Sequence, residues 1–102
     1  MSHYERMEAP TPAADISKWR DEIDKIDDFF MHLLRRRLFF SKLLGDAKKQ
    51  GGVDIEEPKR EEAIITRLSR DCAELTRADV ETVWKHIFEL SKREQLQAYV
   101  IQ

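Results

Sequence analysis

Apolar side chains recur every three or four positions along most of this chain, which is the spacing of an amphipathic α-helix. In the first such segment, about residues 15–50, the recurring apolar positions are Ile16, Trp19, Ile23, Ile26, Phe30, Leu33, Leu34, Phe40 and Leu44. Asp15 or Ser17 is expected to cap its start. Gly45 is the only glycine before the pair at the end of the segment, and a helix tolerates one glycine at a cost of about 1 kcal/mol. The pattern therefore predicts one long helix.

Two shorter helices are predicted after the glycine pair. Pro58 is a favourable first residue for the second helix, whose apolar positions are Ile64, Ile65, Leu68 and Cys72. Thr76 and Asp79 have the spacing of a capping box at the start of the third helix, whose apolar positions are Val80, Val83, Trp84, Ile87 and Ala98. No segment alternates as a β-strand does. The predicted fold class is therefore all-α, with three helices per chain, one long and two shorter.

The length of the first helix predicts a second subunit. About 34 residues at ~1.5 Å each span roughly 50 Å, whereas a compact domain of this size is roughly 33 Å across. A monomer would leave part of the apolar stripe uncovered, so we expect an intertwined, two-fold helical homodimer in which the long helices pack together. Residues 1–14 are mostly small and polar and include Pro10 and Pro12. They are expected to form a flexible N-terminal tail before a single domain at residues 15–102.

Composition narrows the class of protein. The 102 residues are 41% hydrophobic and 37% charged, with a net charge of -2. The net charge gives the chain no overall basic field for binding nucleic acid. The sequence also contains no apolar run long enough for a signal peptide or a membrane span. Cys72 is the only cysteine, so an intrachain disulfide is impossible and a reducing compartment, the cytoplasm, is expected.

Several polar side chains fall on the predicted apolar faces, where a helix normally carries none. They are Arg20, Arg37 and Lys48 in the first helix, Glu61 in the second, and Ser91 and Gln95 in the third. A buried polar group is costly unless it has a partner. These residues therefore predict a shared polar site.

The spacing indicates which of these residues can meet. Arg37 and Lys48 are eleven positions apart, about three turns, so they point in nearly the same direction at a separation of roughly 16 Å. Arg20 lies roughly 25 Å from Arg37 along the helix, too far for the same pocket in one chain but within reach of the partner's pocket in an antiparallel dimer. The set predicts a buried, cation-rich pocket for a small dianion that carries a hydroxyl group. Taken singly, each cation is more often one that snorkels to water or pairs with an aspartate of its own helix.

At these positions the sequence resembles the all-helical chorismate mutase family, over about residues 16–97. Residues 19–27 (WRDEIDKID) are similar to the family's first-helix motif, and Leu33–Leu34 followed by Arg37 matches its next landmark. The later landmarks are a glycine-x-x-lysine (Gly45, Lys48), an arginine–glutamate pair (Arg60, Glu61) and a serine-x-x-x-glutamine (Ser91, Gln95). The chain departs from the family at Glu57, where many members carry aspartate, and in its short turn between the second and third helices.

The resemblance implies a chorismate mutase, an isomerase that converts chorismate to prephenate in phenylalanine and tyrosine biosynthesis without a cofactor. It implies that Arg37, together with Arg20 from the other subunit, binds the two substrate carboxylates. Lys48 would contact a carboxylate and the ether oxygen, and Gln95 would donate a hydrogen bond to the same oxygen. The ring hydroxyl is assigned to Glu61 and the backbone near Glu57, and the remaining polar wall to Arg60 and Ser91.

The resemblance also leaves alternatives open. Isochorismate-pyruvate lyase, 4-amino-4-deoxychorismate mutase and a non-catalytic regulatory module are other outcomes on the same fold. The sequence does not decide whether a second enzyme of the aromatic pathway binds this chain, or whether phenylalanine or tyrosine regulates it. The scattered histidines and the single cysteine predict no metal site. Phe39, Phe40 and Trp84 are expected in the core, with Trp84 a candidate neighbour of the pocket.

Overall fold

A computed structural model describes residues 11–100 of the chain, in which three α-helices follow one another. Helix α1 spans Pro12–Gly51, α2 spans Pro58–Ser69 and α3 spans Arg77–Gln95. A short 3-10 helix, Leu96–Tyr99, continues from α3. The predicted all-α class, with one long and two shorter helices, is confirmed. None of the helices in residues 11–100 has the length and apolarity required to traverse a membrane.

Helix α1 begins three residues earlier than the pattern predicts. The backbone N–H of Ala14 donates to Thr11 Oγ1 at 3.1 Å, and that of Asp15 donates to the Thr11 carbonyl at 3.0 Å. Pro12 then occupies the first helical position, where its missing N–H has no cost. Thr11 is therefore the cap, and the expectation of a cap at Asp15 or Ser17 was wrong. Most of the predicted N-terminal tail, residues 1–10, lies outside the described residues.

The chain separates into two compact parts at Leu34. Within residues 11–34, which form the first part of α1, the large apolar side chains are about half or more exposed, apart from that of Leu34. The exposed ones are Ile16, Trp19, Ile23, Ile26, Phe29, Phe30, Met31 and Leu33. Six of these, all except Phe29 and Met31, belong to the stripe that the sequence predicts to be covered by a second subunit.

The second part, from Arg35 onward, has a small core between α2 and α3. Ile64 and Ile65 pack with Val80 and Phe88, and Leu68 and Trp84 lie against this cluster. Burying such side chains stabilises a fold by roughly 1.5–3 kcal/mol each. Phe88 was not predicted as a core residue. The sequence placed Val83 on the buried face, but it is 51% exposed, and Cys72 lies beyond the last residue of α2.

The start of α3 is fixed by the predicted capping box. Thr76 Oγ1 accepts from the Asp79 backbone N–H at 3.1 Å, and Asp79 Oδ2 accepts from the Thr76 N–H at 3.0 Å. The neighbouring Arg77 forms ion pairs with Glu62 of α2 and with Glu81 of α3. Such a box satisfies two N–H groups that the first helical turn cannot. Together these contacts set where α3 begins relative to α2, and hence which of its residues face α1.

Gly45 marks a close approach of α1 to α3. A Cβ atom placed on Gly45 would lie 2.5 Å from the Gln95 Cα and 2.8 Å from its carbonyl carbon. Carbon atoms in contact are ordinarily 3.5–4.0 Å apart, so only a glycine fits here. The sequence treats Gly45 as merely tolerated, whereas in the structure it allows the backbone of Gln95 to come against α1.

Gly45→Ala is therefore expected to destabilise the protein, although alanine is the better helix former by about 1 kcal/mol. The new methyl group must push α3 away, and overpacking of this kind costs about 1–3 kcal/mol or more. Urea unfolding followed by circular dichroism measures the change. Gly51→Ala is the matched control, because its Cβ would meet only a Val53 methyl group at 3.7 Å. Equal stability of the two variants would contradict the close approach.

Candidate functional site

A pocket of about 250 Å³ opens in the part of the chain after Leu34. Seven of the predicted site residues line it: Arg37, Lys48, Glu57, Arg60, Glu61, Ser91 and Gln95. Phe40, Ser41, Leu44, Ile55, Ile64, Phe88 and Lys92 complete the lining. Apart from Arg20, the polar residues that the sequence places on apolar helix faces are thus brought together from all three helices.

Lys48 is the buried cation of the pocket, with 6% of its surface exposed. Its Nζ donates to Gln95 Oε1 at 2.7 Å and to the Ile55 carbonyl at 3.2 Å, and it pairs with Glu57 Oε1 at 2.5 Å. An ammonium group has three hydrogens; two of them have acceptors in Gln95 and Ile55, and the Glu57 carboxylate pairs with the charge. These contacts offset the cost of burying the charge.

Gln95 and two serines form a buried chain of hydrogen bonds behind Lys48. Gln95 Nε2 donates to Ser91 Oγ at 3.2 Å, Ser91 Oγ lies 2.6 Å from Ser41 Oγ, and Ser41 Oγ donates to the Arg37 carbonyl at 3.0 Å. An amide nitrogen carries two hydrogens. Within residues 11–100 only one of those on Gln95 has a protein acceptor, so the other is available to a guest in the pocket.

Two arginines give the pocket an excess of positive charge. Burial lowers the pKa of Arg37 from its ordinary value, and the nearby charge of Arg60 lowers it further. Arg37 lies with its guanidinium carbon 6.0 Å from the Phe88 ring centre. Within residues 11–100, neither arginine has a carboxylate oxygen within 4.0 Å. Both guanidinium groups are therefore free to bind an anion.

Lys92 is a pocket residue that the sequence did not single out. Its Nζ lies 3.3 Å from Glu61 Oε2 and 3.2 Å from Glu56 Oε2. Partial burial lowers the pKa of Lys92, but the hydrogen bonds and charges of Glu56 and Glu61 outweigh it and raise the pKa overall. Lys92 is therefore charged at neutral pH and loses its proton only as the pH rises past the ordinary lysine range. Lys92 thus holds the Glu61 carboxylate against α3.

The charges that line the pocket favour a dianion. Among the described residues, four cations and two carboxylates take part in the lining, which leaves two positive charges in excess. Hydrogen bonds to ionised groups are roughly twice as strong as neutral ones, and the surrounding apolar side chains weaken screening by water. The arrangement suits a small molecule with two carboxylates, a hydroxyl group and an acceptor oxygen near Lys48 and Gln95.

Arg20 lies apart from this group. It is exposed in the part of the chain before Arg35 and does not line the pocket. Its predicted role, binding substrate from the other subunit, stays a prediction. The interpretation of Phe39 and Phe40 as core was wrong for the single chain, since they are 57% and 56% exposed and Phe40 lines the pocket. Trp84, which was also predicted in the core, does pack against it.

Ser41 was missed although the sequence contains a signal for it. It stands four positions after Arg37 and seven before Lys48, so it faces the same way as both. Lys92 offered no such signal, because a lysine beside another charged residue is usually solvated. Its role depends on Glu56, which lies in the loop between α1 and α2.

Comparison with known proteins agrees with the geometry. The family model for chorismate mutase type II matches residues 19–96. A chorismate mutase of Methanocaldococcus jannaschii is 32% identical over 59 residues, which cover 58% of this chain and 60% of the relative. No solved structure gives a significant match. Since the family model extends over well more than half of the sequence, the chain belongs to the chorismate mutase type II family.

Proposed function

We propose that the pocket binds chorismate and catalyses its rearrangement to prephenate. The observation that carries the proposal is the buried Lys48–Gln95 pair, at 2.7 Å, beside two arginines without carboxylate partners. The Lys48–Gln95 pair supplies hydrogen-bond donors for a developing negative charge, and the two arginines bind carboxylates. The relative from Methanocaldococcus jannaschii carries the same activity in its name. The single cysteine favours a reducing compartment, and we place the enzyme in the cytoplasm.

The proposed reaction is a unimolecular [3,3] rearrangement. The ether carbon–oxygen bond breaks while a carbon–carbon bond forms, and no proton, nucleophile or cofactor is required. Arg37 holds one carboxylate and Arg20 of the second subunit holds the other, which keeps the reacting carbons close together. Lys48 and Gln95 stabilise the negative charge that grows on the ether oxygen.

The remaining polar residues orient the ring. Glu61, held by Lys92 at 3.3 Å, accepts the hydrogen of the ring hydroxyl. The backbone near Glu57 holds the same hydroxyl group. Arg60 and Ser91 complete the polar wall. A carboxylate that is already fixed loses little side-chain entropy when it binds the guest. Lys48, Gln95, Arg37 and Glu61 are the residues to which we assign catalysis.

The proposal includes an intertwined homodimer. Eight large apolar side chains of α1 before Leu34 are exposed in the single chain, a contiguous set that soluble monomers rarely display. A second copy of α1 would cover them and would bring a second Arg20 toward the pocket. Light scattering of the purified protein at micromolar concentration tests the assembly. A folded, active 12.1 kDa monomer would contradict it.

The function itself is tested by incubating the full chain with chorismate and following its ultraviolet absorbance, with the product identified by nuclear magnetic resonance. We expect loss of chorismate and formation of prephenate. Isochorismate and 4-amino-4-deoxychorismate are tested in parallel. Turnover of one of these alone would replace the proposed substrate. A folded protein that turns over none of the three would overturn the catalytic proposal in favour of a binding module.

Mixing two inactive variants tests whether Arg20 acts across the interface. Arg20→Ala and Arg37→Ala should each be nearly inactive, because each leaves one carboxylate without its partner. After the subunits re-equilibrate, half of the dimers contain one chain of each kind, and each of these has one intact site. The mixture should therefore recover about a quarter of the wild-type activity, as two-fold symmetry requires. No recovery after confirmed exchange would show that Arg20 does not complete its partner's site.

A further inference from the structure

Ser41 is buried, yet none of the roles assigned above uses it. It is 5% exposed, and its Oγ lies 2.6 Å from that of Ser91, fifty positions later in the chain. Its other contact is the Arg37 carbonyl, one helical turn before it, at 3.0 Å. A hydroxyl group that bonds only within its own helix is common. A hydroxyl group that also hydrogen-bonds to a neighbouring helix, as Ser41 does to Ser91, couples the side chains of α1 and α3.

Only one order of the hydrogens satisfies all of these contacts at once. The Lys48 ammonium is purely a donor, so the atom of Gln95 that faces it, at 2.7 Å, must be the amide oxygen. The nitrogen of Gln95 therefore faces Ser91 and donates to it. The single hydrogen of Ser41 is taken by the Arg37 carbonyl, which can only accept. Ser91 must then donate its own hydrogen to Ser41.

This order matters most when a ligand is bound. In the free protein Lys48 alone is enough to hold the Gln95 amide oxygen on its side. Once Lys48 shares its hydrogens with an anionic guest, that restraint weakens. The remaining restraint is Ser91, whose oxygen accepts from Gln95 only while its hydrogen points at Ser41. An amide that turned over would present its oxygen to the ether oxygen of the substrate and repel it.

We propose that Ser41 is a positioning residue that, through Ser91, fixes the Gln95 amide with its nitrogen toward the pocket. The inference rests on the proposed function for its catalytic consequence, but the orientation of the amide is a property of the protein alone. Ser41 itself need not touch the substrate. It provides the acceptor that the Ser91 hydroxyl requires, and so decides in which direction the whole chain of hydrogen bonds runs.

The first experiment measures kcat and KM for Ser41→Ala on chorismate. We expect kcat to fall by about three- to tenfold, the effect of one lost neutral hydrogen bond, with KM changed less than about twofold. Ser41→Thr keeps the hydroxyl group and should restore most of the loss. In a Gln95→Met background, which has no amide to orient, Ser41→Ala should have no further effect on kcat. An equal loss in both backgrounds would mean that Ser41 only supports the fold, and unchanged kcat would overturn the proposal.

A second measurement does not depend on activity. Side-chain amide hydrogens of Gln95, observed by ¹⁵N nuclear magnetic resonance, should exchange with water about tenfold faster in Ser41→Ala than in the wild type, since the local hydrogen bond is weakened. If Ser41→Ala does not fold, Ser91→Ala removes the same link and should show the same acceleration. Unchanged exchange in the folded variant would overturn the proposal. Faster exchange in a protein without mutase activity would uphold the positioning and reject the proposed function alone.

Discussion

Lys48→Met is expected to lower kcat for chorismate by about 10²–10³-fold, the scale of losing one donor to a developing oxyanion. The variant removes the only buried cation among the described residues of the pocket and leaves the Gln95 Oε1 and Ile55 carbonyl without their donor. Methionine fills nearly the same volume, so the loss reports the charge rather than a cavity. Each orphaned acceptor also costs about 1–3 kcal/mol of stability, so the comparison is made well below the melting temperature.

The adjacent lysine provides the matched control for this variant. Lys49 is exposed, donates to the Ala98 carbonyl at 2.8 Å and does not line the pocket. Lys49→Met changes the net charge by the same amount and should keep kcat within about threefold of the wild type, as surface substitutions generally do little. Steady-state kinetics of the two variants, measured side by side, separates a specific role of Lys48 from the general effect of losing one positive charge. A folded Lys48→Met enzyme with near wild-type kcat would remove Lys48 from the mechanism.

In the Gln95→Glu variant, kcat is expected to depend strongly on pH, because the substitution places a titratable group where the wild type has none. At neutral pH the new carboxylate would lie beside Lys48, where the amide oxygen now accepts at 2.7 Å, and would pair with it. The donor to the ether oxygen would be lost and a negative charge would face it, so kcat should fall by about 10²-fold or more. Protonation restores an O–H donor. The rate of the variant should therefore rise as the pH falls through the pKa of the new carboxyl group.

The pH profile tests this directly. Burial raises the pKa of such a carboxyl group and Lys48 lowers it, so the rate is measured from about pH 8 to about pH 4, a range that brackets the ordinary glutamate value of about 4.3. Gln95→Met has neither a donor nor a titratable group and should be slow throughout. Wild type should show no comparable rise, because an amide does not titrate. A flat profile for a folded Gln95→Glu enzyme would contradict the assigned role of Gln95.

Helical periodicity was sufficient to predict several polar residues of the pocket, whereas Glu57 and Arg60 were predicted only from the family resemblance. Arg37, Lys48, Ser91 and Gln95 each lie on an otherwise apolar helix face, and a buried polar group must find a partner. Periodicity reports the direction in which a side chain points, so residues on one face could be grouped before the structure was known. The same reasoning predicted the helices, because apolar stripes and the Thr76–Asp79 capping box are local features.

What the sequence could not supply was contact between distant segments. The face of α3 was placed about one position off, so Val83 was chosen and Phe88 was missed, because both fit an apolar stripe and only packing on α2 distinguishes them. Gly45 was judged by helix propensity, which says nothing about the Gln95 backbone fifty positions later. Lys92 depends on the loop residue Glu56, and no periodic pattern relates the two.

The three oxygen atoms that surround the Lys48 ammonium group have a consequence for how any anion enters the site. They act as a solvation shell built from protein around the buried ammonium group. A guest can reach it only by substitution, one oxygen leaving as another arrives. Glu57 is the first member to be replaced, since 40% of its side chain is exposed and water can take over its carboxylate. A guest that makes a second contact then shares the hydrogen that Gln95 Oε1 accepts. Binding then exchanges one ion pair for another, and affinity reflects the difference between two similar energies rather than the full strength of either.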